Sequence, residues 1–95
     1  MRLTCLVDNC VMRGSPLWGA HGLSFLIEAE GGNVLWDVGP APEVLHHNLR
    51  ALGLEQTPVA AIALSHAHDD HVGGLAAALE RYPTAPIFAL SLIHI

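Results

Sequence analysis

Apolar and polar residues take turns through the first third of the chain. Leu3, Cys5 and Val7 interleave with Thr4 and Leu6, a period of two that predicts a first strand over Leu3 to Val7. Asp8 and Asn9 end it, and Arg13, Gly14, Ser15 and Pro16 predict a loop. A second strand is predicted within Leu23 to Ala29, where Leu23, Phe25 and Ile27 alternate with Ser24 and Glu28. Gly31, Gly32 and Asn33 then turn the chain into Val34, Leu35 and Trp36, so the second and third strands form a predicted hairpin.

The period then lengthens. Leu45, Leu49 and Leu52 make an apolar stripe in a predicted helix over Pro40 to Gly53, with Pro42 in the first turn, Glu43 at the positive end and Gly53 as the stop. Val59 to Leu64 is short, continuous and apolar behind Pro58, which predicts a buried strand. A second helix is predicted over Val72 to Tyr82, halted by Pro83, and Pro86 to Ala89 begins another strand. Gly73 and Gly74 at the helix start permit close approach to the preceding strand, and Ala76 to Ala78 suit tight packing on a sheet. From the third strand onward, the predicted strands alternate with helices.

Between the buried strand and the second helix lies the densest chemistry, S-H-A-H-D-D-H-V-G-G-L from Ser65 to Leu75. If the backbone is still extended at His66 and His68, both imidazoles lie on one side and can share a cation, and Asp70 continues the alternation. His71 falls where strand becomes helix, so the four groups divide into pairs for neighbouring metals. Neutral imidazole suits zinc and other borderline ions, and carboxylate suits harder ones. A single His is commonly a packing or surface residue, but four ligand-type groups at these spacings point to a metal site. Asp69 alternates away and reads as solvated or as a helix cap.

Other residues offer less. His46 and His47 lack a ligand-like partner on their helix and read as surface or boundary residues. Leu17 and Trp18, in the first loop, form either a wall for a substrate or a cover for a sheet edge. Cys5 and Cys10 have the spacing C-x4-C, unlike a zinc knuckle or a disulfide framework, and read as free thiols. Asp37 before Gly39, taken alone, is ordinary turn chemistry at a strand end.

Charge narrows the partners. Nine acidic residues face four Arg and no Lys, a net charge of −5 without a basic cluster, which argues against nucleic acid. No stretch approaches membrane-spanning length, and no signal peptide is evident, so the expected location is cytoplasmic and the expected partner a small-molecule substrate. The 52% hydrophobic content and mean hydropathy of +0.41 fit a piece whose apolar faces await a further sheet.

The His66-x-His68-x-Asp70-His71 motif behind an apolar strand resembles the signature of the metallo-β-lactamase superfamily. The resemblance implies that His66 and His68 bind one divalent cation and Asp70 and His71 a second, most fittingly zinc, with iron or manganese as other occupants. It implies an αββα sandwich of mixed sheets with helices outside, of which 95 residues hold the N-terminal half. Trp36-Asp37-Val38-Gly39 looks like the family's first motif, and there Asp37 is the candidate to orient a ligand His from behind the metals. Val38 departs from the usual Thr or Ser. The family's remaining ligands would follow downstream.

Val7-Asp8-Asn9, His21-Gly22-Leu23-Ser24, Trp36 to Gly39 and Leu64 to Leu75 together look like the subgroup of dihydropterin ribofuranosylaminobenzene phosphate synthases and related hydrolases, with Ala20 where that subgroup usually has Glu. The implied reaction is attack by metal-bound hydroxide on an ester, thioester, lactam or phosphoester, with Asp70 also orienting the nucleophile. The alternatives are an iron-dependent oxidoreductase on the same fold, or a non-catalytic metal-binding half domain. Residues 1–89 are expected to form the partial domain. Leu90 to Ile95, L-S-L-I-H-I, reads as the translation of a transposon-end adapter, CTG TCT CTT ATA CAC ATC, and is expected to be a non-native tail.

Overall fold

The computed structural model describes residues 1–8, 14–65 and 73–89. Within them run β1 (Arg2–Val7), β2 (Ser24–Glu28), β3 (Val34–Trp36), α1 (Pro42–Ala51), β4 (Ala61–Leu64), α2 (Leu75–Arg81) and β5 (Ile87–Ala89). The strands form a five-stranded sheet in sequence order, β1-β2-β3-β4-β5. The first two pairings are antiparallel and the last two parallel. A short turn joins β2 to β3, the longer segment 8–23 joins β1 to β2, and each parallel pairing is bridged by a helix. Leu90 to Ile95 lies outside the described residues.

The hairpin closes through Gly32, at φ 138°, whose amide donates to the Ala29 carbonyl at 3.2 Å. Asn33 ties this turn to the entry of β4, its Nδ2 donating to the Pro58 carbonyl at 2.8 Å. Pro42 stands in the first turn of α1 as expected, but the helix runs over Pro42–Ala51, shorter than the expected Pro40 to Gly53. Leu52 caps it, and Gly53 at φ 72° turns the chain away, a left-handed residue that glycine supplies without strain.

One face of the sheet carries the core. Leu26, Leu35 and Ile62 are neighbours in register, and Leu45 and Leu49 of α1 and Ala77 and Ala78 of α2 close over them. On α1, Leu52 falls beyond the helix and is partly exposed, while Asn48 takes a fully buried place between the leucines. Leu3 (64% exposed), Cys5, Phe25, Trp36 and Phe88 (56% exposed) belong to the other face, which no helix covers among the described residues.

Two local expectations change. The simple alternation of β1 fails because the register shifts between Cys5 and Val7. A bulge adds a residue and reverses parity, so Leu6 and Val7 are both buried while Leu3 and Cys5 are exposed. The second helix begins at Leu75, after Gly74, because Gly74 serves docking: a Cβ there would lie 2.1 Å from the Val38 carbonyl oxygen. No described helix is long and apolar enough to cross a membrane.

Candidate metal centre

The carboxyl ends of β3 and β4 adjoin the start of α2, the side of a parallel sheet where ligands ordinarily bind. Asp37 follows β3 directly. It is fully buried and left-handed, with φ 55°, a conformation that Asp tolerates better than most residues. Its amide continues the β3–β4 ladder by donating to the Ala63 carbonyl at 2.8 Å. Its carbonyl accepts the Ser24 hydroxyl at 2.8 Å.

This turn aims the carboxylate at the end of β4. Oδ1 accepts the Ser65 amide at 2.8 Å, and Oδ2 accepts the Ser65 hydroxyl at 2.7 Å. Charge-assisted bonds of this kind are stronger than neutral ones, and here they hold the residue immediately before His66. Gly39, at φ 77°, anchors the other flank: its carbonyl accepts the Gly74 amide at 2.9 Å. Its own amide donates to Leu23, and a Cβ would press on Val7 at 3.1 Å. Trp36 to Gly39 therefore grips the chain on both sides of residues 66–72.

His66, His68, Asp70 and His71, the predicted metal ligands, lie outside the described residues, as does Asp69. The three imidazoles and one carboxylate of that stretch form a donor set that fits borderline divalent cations. The described frame fits such a site too, since a buried carboxylate fixes the approach to the first donor. Asp37 holds Ser65 among the described residues, and the ligand His that it is expected to orient lies outside them. Val38, which departs from the Thr or Ser usual in the resembling motif, is fully buried in the core.

Sequence reasoning missed several partners. Ser24 and Ser65 carry no mark of their roles in the sequence, although both sit inside the quoted motifs. His46 accepts a hydrogen bond at Nδ1 from Arg81 Nε at 2.8 Å, joining the two helices. His47 donates from Nε2 to the Pro16 carbonyl at 2.6 Å and stacks on Trp18, with ring centroids 3.8 Å apart. Asn48 Oδ1 accepts the Trp18 amide at 2.8 Å, and its Nδ2 donates to the carbonyls of Leu6 and Trp18. Trp18 thus lies on α1, and the first loop is pinned to the helix that also braces β1.

A mixed five-stranded sheet with helices on one of its faces defines an α/β protein. Residues 17–89 match the model of the metallo-beta-lactamase superfamily, and the chain belongs to that superfamily. It is 34% identical over 94 residues to the 7,8-dihydropterin-6-methyl-4-(beta-D-ribofuranosyl)-aminobenzene-5'-phosphate synthase of Methanocaldococcus jannaschii, covering 94% of this chain and 32% of that protein. To a hydroxyacylglutathione hydrolase of Xylella fastidiosa it is 42% identical over 74 residues, covering 78% of this chain and 27% of the relative. A solved metal-dependent hydrolase of the beta-lactamase superfamily superimposes with a TM-score of 0.62 at 33% identity, over 77% of this chain and 25% of that one. The chain thus spans about a third or less of the length of these proteins.

Proposed function

We propose that the full-length protein is a metal-dependent hydrolase of small molecules, acting on an ester, thioester, lactam or phosphoester. The observation that carries this reading is the double grip of Trp36 to Gly39 on the chain flanking His66 to His71, through Ser65 on one side and Gly74 on the other. Such a grip is what a multi-ligand site needs, because donors must be held before the cation arrives. His66 and His68 would hold one divalent cation, and Asp70 and His71 a second, with zinc the best fit to the donors. When bound, the metals supply a hydroxide near neutral pH and polarise the oxygen under attack.

This chain's own residues do the holding. Asp37 fixes the backbone at Ser65, so that the following imidazoles start from a rigid strand end. Asp70, besides acting as a ligand, would accept a hydrogen bond and so orient the nucleophile. The thioester in the reading is supported by the relative named a hydroxyacylglutathione hydrolase.

The test is hydrolysis by the purified full-length protein across a thioester, a lactam, a carboxylic ester and a phosphodiester, before and after treatment with a chelator. The expected result is turnover of at least one class that the chelator abolishes and added zinc restores. Turnover that survives complete metal removal, or none in any class by metal-replete protein, would overturn the proposal.

A further inference from the structure

We infer that Ser24 is a positioning residue for the metal centre, acting through Asp37; the inference rests on the metal-site reading above. Ser24 occupies a core position on β2, fully buried and on the same face as Leu26, where the alternation calls for an apolar side chain. Its hydroxyl donates to the Asp37 carbonyl across 2.8 Å.

That bond matters because of the backbone it holds. Asp37 is left-handed, a conformation that persists in a non-glycine residue only when its surroundings enforce it. Two strands enforce it from opposite sides. The Ala63 carbonyl on β4 takes the Asp37 amide, and the Ser24 hydroxyl on β2 fixes the Asp37 carbonyl. With the peptide planes on both sides of its Cα fixed, the direction of the Cα–Cβ bond is set, and from it both carboxylate oxygens reach Ser65. Without the Ser24 hydroxyl, the peptide plane after Asp37 loses this side-chain hydrogen bond and the Asp37 Cα–Cβ bond loses its fixed direction. The ordered path is Ser24, Asp37, Ser65, then His66.

Partners behind metal ligands change metal affinity by about 10–100-fold when removed. Ser24 stands one step further back, so Ser24→Ala should weaken cobalt or zinc binding by about tenfold, measured by competition with a chromophoric chelator in the full-length protein. The metal-free variant should melt somewhat below wild type because a buried carbonyl loses its donor, and the stabilisation added by metal should shrink in addition. Ser24→Thr, which keeps the hydroxyl, should restore binding. Asp37→Gly removes the carboxylate while permitting the left-handed backbone, so adding Ser24→Ala to it should cost no further affinity.

A second readout needs no metal. In the metal-free protein, Ser24→Ala should speed hydrogen exchange at the Ser65 amide at least tenfold relative to core amides. Should that variant fail to fold, Ser24→Cys, of similar shape and weaker as a donor, serves in both measurements. Unchanged affinity together with unchanged Ser65 exchange would overturn the inference, as would an equal loss from Ser24→Ala in the Asp37→Gly background. Wild-type protein that binds no metal sinks the hydrolase reading instead, and the exchange experiment still decides the role of Ser24.

Discussion

The two faces of the sheet are made from similar residues and end in opposite situations. On one, Leu6, Leu26, Leu35 and Ile62 lie at or below 2% exposure beneath the helices. On the other, Leu3 and Phe88 stay more than half exposed, and Phe25, Ile27, Val34 and Trp36 are only partly covered. Composition does not separate these faces; what separates them is whether, among the described residues, a helix packs over them. A continuous apolar face on a mixed sheet is a docking surface, and we propose that in the full-length protein the second sheet of the sandwich covers it.

That comparison can be broken most severely at Gly74, where α2 locks onto the covered face. Gly74→Val places a branched side chain where even a Cβ meets the Val38 carbonyl at 2.1 Å. It should cost about 3 kcal/mol or more, visible as loss of the cooperative melt of the full-length protein. Retention of a wild-type melt would mean that the Val38–Gly74 contact is looser than described.

Paired truncations then sharpen the contrast. Leu35→Ala, on the covered face, should cost about 2–5 kcal/mol by denaturant unfolding. Phe88→Ala should cost about 3–5 kcal/mol in the full-length protein if a second sheet covers it, and within about 0.5 kcal/mol if that face meets water. The second result would dismiss the proposed sandwich. Asn48→Ala, which leaves the Leu6 carbonyl and the Trp18 backbone without their partner, should cost about 1–3 kcal/mol and loosen the loop on α1.

The smallest effect concerns Cys5, on the open face. Partial burial, aided by the nearby Asp8 carboxylate, pushes its thiol pKa up, against a lesser pull from the Val7 carbonyl region. A raised thiol pKa leaves less thiolate at a given pH. Alkylation at Cys5, located by peptide mapping, should therefore run a few-fold slower than that of a free model thiol near pH 8. The gap should close as pH rises through the raised pKa. A rate equal to the model thiol at pH 8 would contradict this.

Much of the fold is legible in the sequence because period and punctuation agree. The hairpin follows from Gly31-Gly32-Asn33, and α1 from Pro42, its leucine stripe and Gly53. The parts that were not legible depend on three-dimensional closeness. The bulge in β1 leaves no mark in the alternation of Leu3, Cys5 and Val7, yet it decides which face Val7 joins. Gly74 looks like the first turn of a helix until the Val38 carbonyl is seen against it. For the site, Asp37 could be singled out by its place before Gly39, but its partner Ser65 lies 28 residues away. Ser24, similarly, differs from any strand serine only by the left-handed residue it touches.

The central claim is that residues 66–71 form a metal centre whose approach is set by Asp37. The most direct measurement is the metal content of the purified full-length protein by plasma mass spectrometry, beside that of a His68→Ala variant. About two divalent ions per wild-type chain, with a clear loss in the variant, is the predicted result. A wild-type protein that stays metal-free after zinc loading, or a variant with undiminished content, would contradict it.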